Sequence, residues 1–465
     1  MDIIKFRGGY INMESIKNIV TDIDSLSFKK VLKFVIPTYL TSLFTTMYSI
    51  VDGIFVSQYV GTNALAAINV IYPIIYVLLG TALMFAIGGS AIASISIGSG
   101  NYKKAQNEFS LSFVTSIIIG FIITVLVAIF FKPISHLLGA TGSTMEYCIH
   151  YIVPWLAGFP MVIGKEIFIY FIRIDGNPRY SFLMSLLGGI TNIILDYIFI
   201  VKMGMGIFGA GLATIIGISI SFAMGIYYIL CKRNYIKFGF TNISLSFIPR
   251  CAINGLSEFI NQIAIAITTV AFNVAALNFA GDDGIAAVSI IMYLQFLFIG
   301  IAFGYSMGTA PLLGYAFGNG RKDICRKIEK YSFKFLGLFP GFLYIVGFIL
   351  APLAVSFFAK EGTAVYNLAI HGMRVYSTGY IVFGISIFAA VRLTSYAQGH
   401  LSAIITVLRS FLLLLLFLFL LPKFWGMDGI WLSVPFSEFI TVVVAVVFTY
   451  KTRRFSEPEK SSNKN

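Results

Sequence analysis

The chain has 465 residues, 58% hydrophobic and 11% charged, with a mean hydropathy of +0.88 and a formal net charge of +13. Soluble domains carry about 25% charged residues, so this composition excludes one and points to a polytopic membrane protein. The apolar runs are continuous rather than alternating, which excludes a membrane barrel. The basic residues lie in short clusters between those runs, which excludes nucleic acid as the partner that explains the charge.

Residues 1–30 are polar and mixed in charge, without a small-residue cleavage site before the first apolar run, so they read as a cytoplasmic segment, with Met13 as an alternative start. Apolar segments then fall at 31–58, 62–87, 108–131, 146–172, 181–201 and 209–231. A polar, basic linker, 232–250, separates them from six more at 251–280, 285–307, 331–357, 367–391, 403–421 and 429–450, and a charged tail follows at 451–465. A crossing needs about 20 apolar residues, so each segment can span a bilayer. The fold expected is an all-α polytopic membrane protein: twelve transmembrane helices in two six-helix bundles, 31–231 and 251–450. Clusters such as Lys103 and Lys104, Lys232 and Arg233, Arg321 and Lys322, and the pair Arg173 and Arg179 occupy every second connection. That is the positive-inside pattern, with both termini cytoplasmic and the chain multi-pass in the inner or plasma membrane.

The two halves are related. Residues 61–100 laid over 281–320 align Gly61 with Gly281, Ala67 with Ala287, Gly80 with Gly300, Gly88 with Gly308 and Gly98 with Gly318, and each copy ends in glycines followed by basic residues, GSGNYKK and GNGRK. At the same offset GIFGAGLA (206–213) answers GMDGIWLS (426–433). A six-helix unit repeated in one orientation implies pseudo-symmetric bundles about an axis along the membrane normal, with a substrate site between them and alternating access by rocking.

Acids inside apolar helices are costly, about 2.5 to 3.5 kcal/mol on insertion scales, and face a protein interior or a water-filled cavity. Asp52 and Asp196 lie near the outer ends of helices 1 and 5, and Thr214 near the outer start of helix 6. At about 1.5 Å per residue the three share a depth of roughly 7 to 10 Å. Asn192 sits one turn before Asp196 on the same face. Together these oxygens can hold a proton or a small hard cation such as sodium; otherwise Asp196 is an interfacial acid, Asn192 a helix–helix hydrogen bond and Thr214 a packing residue. Pro37, on the helix of Asp52, either permits a kink and acts as a conformational hinge or merely occupies the opening turns.

Glu258 is a possible secondary site, with Arg250 or Arg409 as a structural partner. Arg374 and Glu438 have no role legible in the sequence. Lys165 and Glu166 are adjacent and point apart on a helix, so no simple pair is expected between them. Cys148, Cys231, Cys251 and Cys325 lack CxxC spacing, the four histidines lack metal-ligand spacing, and no nucleophile-elbow or nucleotide-binding pattern occurs. No enzyme, no catalytic residue, no cofactor and no resident metal are therefore expected.

Several stretches carry a family resemblance that covers about residues 30–450: Pro37 with VDGIFVSQYVGTNALAA (51–67), IRIDGNPRY (172–180) with GGITNIILDYIFI (188–200), GIFGAGLAT (206–214) and GMDGIWLS. The chain resembles the multidrug and toxic compound extrusion (MATE) transporters, of the multidrug, oligosaccharidyl-lipid and polysaccharide flippase superfamily. The resemblance implies a V-shaped, two-lobe antiporter that exports organic cations and drugs in exchange for protons or sodium. It further implies that Asp52, Asn192, Asp196 and Thr214 form the cation site, that Pro37 bends helix 1, and that Glu258 matches a glutamate used by some members. The chain departs from members with an acid in helix 10, since IVFGISIFAA (381–390), upstream of AQGH (397–400), has none.

The function expected is a cation-coupled (H+ or Na+) multidrug antiporter acting as a monomer in a lipid bilayer on small-molecule organic cations, without nucleic-acid partners. The alternatives are a flippase for lipid-linked oligosaccharides or peptidoglycan precursors, which needs cations for pyrophosphate, and a membrane-embedded transferase, for which no nucleophile and base converge.

Overall fold

The computed structural model describes residues 26–140, 142–241 and 244–455. Of the N-terminal segment it includes only residues 26–30, and of the tail only 451–455; Met13 lies outside the described residues. All the regular structure among the described residues is helical. The spans are α1 (Phe28–Val60), α2 (Thr62–Gly98), α3 (Tyr102–Leu137), α4 (Gly142–Ile174), α5 (Pro178–Lys202) and α6 (Gly206–Lys232). Phe247–Gly318 follows as one 72-residue rod broken at Gly281, whose φ of 59° and ψ of −146° are open to glycine and strained for other residues. Its two parts are α7 (247–280) and α8 (282–318). The series closes with α9 (Lys322–Ser356), α10 (Ala364–Ser395), α11 (Gly399–Trp425) and α12 (Met427–Lys451). The described residues therefore fold as twelve crossings in two pseudo-symmetric six-helix bundles. Several helices outrun their apolar cores: α8 continues to Gly318, beyond the expected 307, because its last turns are buried against the other bundle rather than ending in a loop.

Local sequence sets the helix starts. Ser27, Asn101, Asn177 and Thr363 each accept a bond from the backbone N–H three residues on, and Pro178 occupies the first turn after Asn177. Within the first bundle α2 packs on α3 and α4, α4 on α6, and α1 on α5; within the second, α10 packs on α8, α9 and α12.

The bundles meet through α1 and α2 against α7 and α8. At the end carrying the basic clusters this contact is backbone on backbone. A Cβ at Gly98 would strike the Tyr315 carbonyl, and one at Gly318 would strike the Ile95 carbonyl. The two contacts are equivalent under the repeat of 220 residues seen in the sequence, so a pseudo-two-fold axis passes between them. Gly314 against Ser94 lies on that axis, and Gly88 and Gly255 admit the backbones of α7 and α2 respectively. Glycine is required here because no side chain fits between the helices.

The linker is strapped to the first bundle. Asp175, fully buried in the α4–α5 turn, accepts from the backbone N–H groups of Asn234 (2.8 Å), Tyr235 (2.8 Å) and Ile236 (3.0 Å) and from the Tyr228 hydroxyl (2.8 Å). Ser110 and Asn107 of α3 accept from Gly239 and Thr241. Bonds to an ionised acceptor contribute about 1.5 to 3 kcal/mol each. Asp175→Ala is expected to raise amide exchange at residues 234–236 at least tenfold relative to α6; unchanged exchange there would show that Asp175 does not hold the strap.

Candidate functional site

Two polar regions lie within the apolar rods. The first is in the first bundle, where α5 and α6 approach closely because Gly188 and Gly217 face one another's backbone. This brings Asn192 Nδ2 to 3.4 Å from Thr214 Oγ1, whose own hydroxyl donates to the Ala210 carbonyl at 3.0 Å. α1 delivers Asp52 to the same place, with its carboxyl interacting directly with that of Asp196. Asp196 and Asn192 are buried, and Asp52 and Thr214 nearly so. Neither oxygen of Asp196 has a hydrogen-bond donor, nor do Asp52 Oδ1 and Asn192 Oδ1. Asp196 directly precedes a π-helical turn, Tyr197–Lys202, and Asp52 lies one helical turn before another, Val56–Val60, a distortion frequent at functional sites.

Two buried carboxyls side by side repel one another when both are charged. A proton shared between them, or a small cation bound by them with the Asn192 and Thr214 oxygens, satisfies the arrangement chemically. Among the described residues no group of three His, Cys, Asp or Glu side chains forms a metal cluster.

The second region is a cavity of about 420 Å³ between the bundles. Its charged lining comes from both: Lys165, Glu166 and Arg173 of α4, Glu258 of α7, Arg409 of α11 and Glu438 of α12. Lys165 and Glu166 do pair, Nζ to Oε1 at 2.6 Å, contrary to expectation. Neighbouring helical positions diverge at Cβ, but these long side chains both bend into the same cavity. Arg409 Nε lies 3.7 Å from Glu438 Oε1, and Ser386 donates to Glu438 Oε2 at 2.8 Å. Glu258 accepts from Asn261 (3.3 Å) and Gln262 (3.4 Å) and feels the charge of Arg409. Arg250 instead donates to the Ser246 carbonyl. Glu258 thus belongs to this cavity and does not join Asp52 and Asp196.

A small polar pocket of about 20 Å³ lies between the two regions, lined by Asn192 and Thr214 on one side and by Thr45, Lys165 and Ser185, which also line the large cavity, on the other. Pro37 is the tenth residue of α1, beyond the opening turns, with its carbonyl accepting from Thr41 at 2.9 Å.

Arg173 was read as part of a basic connection. It is instead 5% exposed, within α4, and lines the cavity. The sequence held one signal of this: the apolar run IFIYFIRI (167–174) continues past it to Ile174.

Twelve apolar helices, an acid pair inside one bundle and a cavity between bundles define a membrane transport protein rather than an enzyme. A family model described as MatE matches residues 37–198 and again 259–420, and the chain belongs to that family. It is 27% identical over 434 residues to the Multidrug export protein MepA of Staphylococcus saprophyticus, covering 92% of this chain and 94% of that one. To the FAD transporter of Shewanella oneidensis it is 26% identical over 428 residues, covering 89% and 92%. Among solved structures, an outward-facing multidrug resistance MATE family transporter of the MOP superfamily shares the fold with a TM-score of 0.86 at 22% identity, covering 91% of this chain and 95% of that one. A MOP superfamily transporter from Pyrococcus furiosus, whose binding pocket is described as of reverse polarity, superposes with a TM-score of 0.88 at 21% identity, covering 96% and 100%.

Proposed function

We propose that the chain is a cation-coupled antiporter that exports amphipathic, chiefly cationic, small molecules by alternating access. The observation that carries this reading is the closeness of the buried Asp52 and Asp196, with Asp52 Oδ1 and both Asp196 oxygens lacking a donor, which a proton or a sodium ion would satisfy. The relatives named as multidrug export proteins support the substrate class, and the mixed apolar and charged cavity suits it. Three cationic side chains against three acids give that cavity no excess of positive charge, which argues against a lipid-pyrophosphate flippase.

In this reading the lobes are residues 31–231 and 251–450, joined by the strap 232–250, and the basic end faces the cytoplasm. An ion taken up by Asp52 and Asp196 from outside removes their mutual repulsion. α1 then repacks, with Pro37 as the point of bending, because proline already lacks one backbone bond there. The pocket between Asn192 and Lys165 gives the change at the acids a short path to the cavity. Substrate leaves outward, and the ion is released inside after the return.

Dye efflux from proteoliposomes, with pH and sodium gradients imposed separately, tests the reading. Export is expected to follow one gradient and to stop when that gradient is collapsed; export indifferent to both would overturn it.

A further inference from the structure

The charges that line the cavity do not cancel evenly. Lys165 is matched by Glu166 and Arg409 by Glu438, which leaves Glu258 and Arg173. Glu258 is served by two amides and the nearby Arg409. Arg173 has the Tyr170 side chain and the charge of nearby Glu166. Its guanidinium lies over the Tyr170 ring, 4.7 Å from the centroid, its Nε is buried without an acceptor, and it makes no ion pair among the described residues. It lines both the large cavity and a smaller, almost wholly apolar pocket of about 30 Å³. In that smaller pocket the hydroxyls of Ser90, Ser94 and Ser395 are all committed to backbone carbonyls of their own helices.

A permanently charged fork, buried and short of an acceptor, is expensive unless something anionic completes it. A planar guanidinium with one face on an aromatic ring still offers its edge N–H groups, the geometry that suits a carboxylate. We infer that Arg173 and Tyr170 form an anion-recognition subsite where the two pockets meet, which takes the carboxylate of an amphiphilic substrate whose cationic group lies toward Glu258. The inference rests on the proposed export function for its physiological meaning, and it assigns this same cavity a wider substrate class than cations alone.

The test uses two probes that differ only in the group at issue, a rhodamine with a free carboxylate and the methyl ester of the same dye. Binding of each to the purified protein in detergent is followed by fluorescence anisotropy, for the native chain and for Arg173→Gln. A charge-assisted bond to a carboxylate corresponds to roughly tenfold or more in affinity. Arg173→Gln is expected to weaken the carboxylate dye by roughly that factor relative to its ester, with Arg173→Lys intermediate because it keeps the charge and loses the fork. An unchanged ratio overturns the inference, including the case in which both dyes weaken together, as they would if Arg173 only supported the helix. Should the glutamine variant fail to purify, the native protein decides: a severalfold preference for the carboxylate dye supports the subsite, and no preference overturns it. Because binding is read without a gradient, failure of ion-driven export in vesicles would leave this result standing, and the reverse also holds.

Discussion

Asp52→Asn is expected to bring ion-driven dye export down to the level of vesicles without protein, while the variant purifies and melts like the native chain. Asparagine keeps the size and the hydrogen-bonding atoms of the side chain but can neither take up a proton nor contribute a negative charge to a bound cation. With Asp52 neutral for good, the repulsion that Asp196 would feel on losing its ion is gone, so the first bundle has no reason to change between loaded and unloaded states. Asp196→Asn is expected to act in the same way, because in the proposed mechanism the ion is held by both carboxyls together. Retention of half the native export rate by either variant would show that the pair is structural.

The second large effect falls on stability, at the basic end of the second bundle. Arg392 is fully buried, with Nε on Glu329 Oε1 at 2.7 Å and Nη1 on Thr452 Oγ1 at 2.8 Å, and the Tyr396 hydroxyl donates to the same Glu329 oxygen at 2.6 Å. Removing one member of a buried pair leaves an uncompensated charge and costs about 3 to 5 kcal/mol. Glu329→Ala should therefore lower the melting temperature of the purified protein by several degrees or prevent its accumulation in the membrane. Replacing both members by apolar residues, Arg392→Met with Glu329→Leu, should recover part of the loss. A double variant less stable than Glu329→Ala alone would show that the charge left behind is not the source of the damage.

What the sequence made legible follows from chain-local physics. Twelve apolar runs announce twelve crossings because each hydrocarbon span must be satisfied on its own. The glycine repeat announced the two-fold relation, and the reciprocal contacts of Gly98 and Gly318 show why those glycines stand where they do. Asp52, Asn192, Asp196 and Thr214 stood out because polar atoms at a common depth are rare in such helices, and the structure brings them together. The pairing of Arg392 with Glu329 was not legible, since it joins residues 63 apart in sequence. Arg173 was misplaced for the same reason: a positive charge near a helix end reads as a connection unless the neighbouring helices are known. The Lys165–Glu166 pair was missed because helix geometry fixes Cβ directions and leaves the ends of long side chains free.

The most direct test of the ion site is to add a transported dye to the purified protein in weakly buffered solution and record the ion displaced, with a pH electrode in one arm and a sodium electrode in the other. The native protein should release one kind of ion as the dye binds, and the double variant Asp52→Asn, Asp196→Asn should release none. Equal release from the double variant would place the exchanged ion elsewhere and contradict the assignment.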